Sequence, residues 1–243
     1  MAEGAIRDYA ETELVTPHHR MLREILRGRL AMLCKRPAEG AAHLRAAEQI
    51  ARRSDEQFLV AKCLRETAKG YLCGGDADAA LLSAQEGIAA SDRGRLPMVD
   101  LQCRLVVARA MMSFDPPPRE RIALELAAAG QLVGGIRDQY VDFASALILH
   151  LTAGVLALEG LDDRAAYLAG AAQNTLASWP AEPDVAGLRA AQRPIDLARE
   201  RIGCEEWQRC ARMGAAASRS EALDTASDWL TETMSDPVES LNP

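Results

Sequence analysis

The chain has 243 residues, 49% hydrophobic but only 4% aromatic, with a formal net charge of −7 and a pI near 5.2. An alanine-rich composition, poor in the β-branched and aromatic runs that build strands, speaks against a sheet protein and predicts an all-α chain. The acidic balance speaks against a dedicated nucleic-acid binder, because phosphate contacts need a concentrated basic surface.

Charge is unevenly placed along the sequence. From Arg20 to Arg53 nine Lys or Arg face three Glu, whereas from Arg219 onward one Arg faces six acids. The amino-terminal residues 1–14 read as a tail with four acids and no apolar run of the secretory type.

Residues 15–180 read as about four helical hairpins. In the first, "GRLAMLCKRPAEGAAHLRAAEQIARR" gives a helix, a Lys-Arg-Pro break, and a second helix with Gly40, Leu44 and Ala47 on its packing face. The second is clearest: Ala61, Leu64, Ala68 and Tyr71 share a helical face, Gly74-Gly75 ends that helix, and Asp76 is placed to cap the next, where Ala80, Ala84 and Ile88 follow. In the third, the triple proline 116–118 separates a helix from another entered near Ile122. The fourth runs through "FASALILHLTAGVLAL", sixteen uncharged residues read as a buried helix and too short for a membrane span. It then breaks at Gly160 with Asp162-Asp163 and continues with Ala165, Ala169 and Ala172.

If Gly40, Ala80, Ile122 and Ala165 are equivalent, the spacings are 40, 42 and 43 residues. Such hairpins cannot bury their apolar faces singly, so stacking into a solenoid is expected. Residues 181–234 are expected to form a helical cap, with Trp179, Trp207 and Trp229 packing it, and 235–243 a tail.

The second hairpin, with Ala68, Tyr71 and then "GDADAA", resembles the tetratricopeptide repeat, with a longer period than that family's usual one. The resemblance implies a tetratricopeptide-like solenoid, a right-handed superhelix closed by the carboxy-terminal cap. A second resemblance covers the last third. "RAAYLAGAAQNTLASWP", then Ala198 to Gly203, Trp207, Ala211, Gly214, and Ser218 with Glu221-Ala222, is similar to the end of ATP-dependent LuxR-type, MalT-like transcriptional regulators. It implies the sensor or scaffold part of such a regulator, and an alternative role within a DNA-associated regulator whose ATPase and helix-turn-helix parts are absent from this sequence. No GxxxxGK[ST] occurs, and Gly74-Gly75 is followed by Asp76, the wrong charge for holding phosphate.

No acid/base constellation points to an enzyme, and no cofactor or metal is expected. His18 and His19 begin the first helix. The six cysteines, without CxxC spacing, read as small core residues in a reducing cytoplasm, and Asp162-Asp163 and Glu205-Glu206 read as helix-start acids. The expected interaction surface is the wall made by the first helix of each hairpin. There Lys62, Arg65 and Lys69 recur at helical spacing, with Arg29, Arg104 and His150 at corresponding places, a basic groove for a protein, an acidic peptide or an anionic small ligand. The alternative for this face is the chain's own acidic end, folding back or meeting a second copy in a homo-oligomer. Direct nucleic-acid binding and membrane association are not expected.

Overall fold

The computed structural model describes residues 16–136, 140–177 and 185–235, so Trp179, Asp236 and Glu239 lie outside it. Among the described residues every regular element is helical, as the composition predicts. The helices are α1 (Pro17–Leu33), α2 (Pro37–Arg53), α3 (Gln57–Gly74), α4 (Ala77–Gly94), α5 (Pro97–Met111), α6 (Arg119–Val133), α7 (Tyr140–Leu158), α8 (Asp162–Ala177), α9 (Val185–Ile202), α10 (Cys204–Ala216) and α11 (Arg219–Ser235). The chain divides into two compact units, Met1–Ala110 and Met111–Pro243.

In the first unit the helices begin at Pro17, Pro37, Gln57, Ala77 and Pro97, each twenty residues after the last. The turns between them share one device. Lys35, Asp55, Gly75 and Arg95 all have positive φ, between 52° and 81°, again twenty residues apart. At Gly75 the motif is complete: Gly75 N–H donates to Leu72 O (3.2 Å), Asp76 N–H donates to Tyr71 O (3.0 Å), and the left-handed residue closes the helix. Asp76 then accepts from Ala79 N–H at 3.0 Å as the α4 cap, as its position predicts. The same bonds recur at Lys35-Arg36 and Arg95-Leu96 without glycine.

Helices α1 and α2 pair, as do α3 and α4, and α3 packs on both α1 and α2. Leu44 of α2 is fully buried where Gly28 and Gly70 leave room; a Cβ on either would come within 2.8 or 2.9 Å of it. The core cluster of this unit joins Met21, Ile25, Ala47, Leu59, Ala61, Cys63, Leu64, Val99 and Cys103. Burial pushes the thiols of Cys63 and Cys103 up to about 12, so both are protonated core groups. Cys34 and Cys204, read from sequence as core residues, are instead exposed, one at the α1 end and one at the α10 start.

In the second unit α7 packs against α6, α8, α9 and α11. It is apolar and long enough to pass by composition for a membrane span, but its residues from Phe143 to Ala157 are all buried in the protein. Helix α8 crosses α10 with backbones in contact: a Cβ on Gly170 would fall on Ala211 O, and one on Gly214 on Tyr167 O. Arg201 of α9 binds both carboxylate oxygens of Asp162 (2.8 and 2.5 Å) and Ala157 O (2.7 Å), tying α9 to the start of α8. Trp229 of α11 meets Tyr167 edge-on at 5.5 Å and lies under the Arg164 guanidinium at 5.1 Å, so it packs α11 on α8. Trp207 is buried in α10.

The four positions taken as equivalent in the sequence occupy one register. Gly40, Ala80, Ile122 and Ala165 are each the fourth residue of α2, α4, α6 and α8, and all four are buried.

Candidate functional site

Helices α1 and α3 place the predicted basic residues. Because α3 turns once in 3.6 residues, Lys62, Arg65 and Lys69 line one side of it, one step round from the buried Ala61, Leu64 and Ala68. Arg29 of α1 comes to the same side. Three of these cations, Arg29, Arg65 and Lys69, converge on a residue that the sequence reading passed over. Glu66, only 9% exposed, accepts from Arg29 Nη1 (3.3 Å) and Lys69 Nζ (3.4 Å), and forms a close ion pair with Arg65. Arg65 also donates to Gln102 of α5.

Beside this cluster lies a hollow of about 320 Å³. Leu22, Ile25 and Leu26 of α1 give it an apolar floor, and Arg29, Lys62, Arg65 and Glu66 its polar rim. Lys62 donates to His18 Nε2 at 3.0 Å and stands 5.8 Å from the Phe58 ring centre. Burial, reinforced by the Lys62 charge, lowers the His18 pKa, which keeps its ring neutral and able to accept that bond.

Burial works to raise the Glu66 pKa, but Lys69, Arg65 and Arg29 together hold the carboxyl below its usual range. Lys69 is shifted down, chiefly by burial, with Arg65 and Arg29 adding to it against the pull of Glu66. The cluster is therefore a preformed set of cations held by one buried carboxylate, and its surplus of positive charge remains at the hollow.

Arg104 and His150 are placed differently. Arg104 is half-buried and pairs with Asp100 on its own helix at 3.0 Å. His150 is buried within α7. The forty-residue register instead brings Arg109 into correspondence with Arg29 and Lys69: each is the thirteenth residue of α5, α1 and α3. Arg109 is 3% exposed. Its signal in the sequence was the interval 29, 69, 109, visible only once the start of α5 is known.

A second cluster ties α1 to α2, where Glu24 contacts His43 (2.7 Å) and Arg27 (3.3 Å). In the second unit a hollow of about 440 Å³ lies at the α9–α10 junction, lined by Gly203, Cys204, Glu206, Arg209 and Arg212. Among the described residues no group of His, Cys, Asp and Glu is disposed to hold a metal ion.

The residues thus define an all-helical protein of paired helices whose first and third helices share a cationic hollow with an apolar floor. Comparisons of the chain with protein-family models, with curated proteins and with solved structures find no match.

Proposed function

We propose that this chain is a non-catalytic interaction module of tetratricopeptide type. Its α1–α3 face receives a protein or acidic peptide segment, or an anionic small ligand, in bacterial transcriptional regulation or signalling in the cytoplasm. The convergence of Arg29, Lys62 and Arg65 from two helices on one hollow, with Lys69 joined to it through Glu66, carries this reading. A charged stripe on a lone helix is ordinarily solvated surface; cations from two helices, held together by a buried carboxylate over an apolar floor, are preorganised for an anion. The shared register of α2, α4, α6 and α8 supports hairpins of one repeating type.

The test uses the full chain and a fluorescent oligoglutamate peptide. Binding should weaken at least about tenfold in Lys62→Ala/Arg65→Ala/Lys69→Ala, as expected for lost charge-assisted contacts worth about 1.5–3 kcal/mol each. Equal affinity for both proteins, with unchanged circular dichroism, refutes the groove as the binding face. Partners recovered on the wild-type chain and lost from the triple variant, identified by mass spectrometry, would then name the ligand.

A further inference from the structure

Helix α11 carries a surface opposite in sign to the α1–α3 hollow. It holds four acids against one arginine, and Glu221, Asp224, Asp228 and Glu232 follow at steps of three and four residues. All four are exposed, while Ala222, Ala226 and Leu230 are buried beneath them. Two of the acids have local work: Glu221 and Ser218 cap the helix reciprocally (2.8 and 3.3 Å), and Glu232 pairs with Arg164 at 2.5 Å. Asp224 and Asp228 stand between them on the same side.

We propose that α11 of a second copy of this chain docks on the α1–α3 face, with its Asp224 and Asp228 carboxylates meeting Arg29 and Lys62 at the rim of the hollow. This goes beyond the reading above, because the occupant is the protein itself. Charge complementarity selects it: the face carries Arg29 of α1 with Lys62, Arg65 and Lys69 of α3 against Glu66, so the two faces attract while each repels its own kind. The two faces are different surfaces of one chain, so the contact is heterologous. Each copy offers one of each, and assembly continues from copy to copy unless it closes into a ring. Exposed ion pairs are individually weak, so the association is concentration-dependent and sensitive to salt.

Sedimentation equilibrium of the full chain tests this. The mean mass should rise with concentration and return to that of one copy as salt goes from about 0.1 M to about 1 M, over which the screening length shrinks from roughly 10 Å to 3 Å. Arg29→Gln/Lys62→Gln on one face, and Asp224→Asn/Asp228→Asn on the other, should each abolish assembly. An equimolar mixture of the two variants should recover pairs and stop at two copies, since each then brings a single working face. The Asp variants change only exposed positions, so they remain informative even if the Arg29 variant unfolds. A chain of constant mass at every concentration, assembly indifferent to salt, or a mixture that fails to pair overturns the proposal. If the chain stays single while Arg29→Gln/Lys62→Gln loses the oligoglutamate peptide, self-docking fails and the partner-binding reading stands.

Discussion

The two units solve the same packing problem with different tolerances. In the first, the atoms nearest to a Cβ placed on Gly28, Gly40 or Gly70 are side-chain atoms of Leu44 and Met32, which can shift a little. A Cβ on Gly28 or Gly40 would also meet the other's carbonyl oxygen, at 3.1 or 3.0 Å. In the second, Gly170 and Gly214 put backbone against backbone across α8 and α10, where nothing can yield. The units also differ in what they bury. Helix α3 draws an ion cluster into its wall around Glu66, whereas α7 buries a mostly apolar helix in which Ser145, His150 and Thr152 are the buried polar residues and none carries a fixed charge. A regular repeat with adaptable contacts can hold charge at its surface and still pack; a tight crossing fixes one geometry and leaves no such freedom.

The largest expected effect tests the crossing. Gly170→Ala should cost about 3 kcal/mol in urea unfolding, the upper end for overpacking, because the new methyl meets a carbonyl. Gly28→Ala should cost less, about 1–2 kcal/mol, since its methyl meets the Leu44 side chain at 2.8 Å and the Gly40 carbonyl only at 3.1 Å, and alanine returns about 0.8 kcal/mol of helix propensity. Equal losses at the two sites would erase the contrast between the units.

Next comes the ion cluster. Glu66→Ala should cost about 2 kcal/mol at neutral pH, less than the usual toll for breaking a buried pair because the Arg29 side chain is 39% exposed. The pH dependence has a definite sign. The Glu66 pKa is lower in the folded protein, so its contribution is fully present above the unfolded value of about 4.3 and is lost as pH falls through the folded value. Stability of the wild type and Glu66→Ala should therefore converge in acid, which denaturation at a series of pH values would check.

A smaller gain is expected at the turns. Arg95 is a non-glycine residue at φ 52°, a conformation costing about 1 kcal/mol, so Arg95→Gly should raise stability by up to that amount. The same change at an ordinary helical position should lower it. The smallest effect falls on Glu48, whose pKa burial raises, against Arg52 and with Glu86 adding to the shift. Its charged form is disfavoured in the folded state, the reverse of Glu66, so Glu48→Gln should stabilise at neutral pH by roughly 0.5 kcal/mol and lose that advantage as pH falls.

Much of the helical framework was legible because small residues and breaks follow packing directly. Asp76 caps, Gly75 closes, and Gly40, Ala80, Ile122 and Ala165 mark one depth in their helices. The break at Lys35-Arg36-Pro37 was legible, but the left-handed backbone of Lys35 and Arg95 was not, since nothing in those side chains announces it. In the candidate site, the α3 cations followed from helical spacing alone. Glu66 was missed because an acid beside Arg65 reads as ordinary surface until α1 brings Arg29 across it. Arg104 was chosen without the start of α5, which shifts the correspondence to Gln102 with Lys62 and to Arg109 with Lys69.

The twenty-residue step makes the first unit behave like a ruled scale. A length change of forty residues between hairpins restores every neighbour to its former environment, and carries one more cation to the place held by Arg29 and Lys69. A change of twenty does the opposite, giving a first helix the surroundings of a second. Growth of such a protein by gene duplication is thus quantised in whole hairpins, and the charge of the wall would be copied together with the architecture.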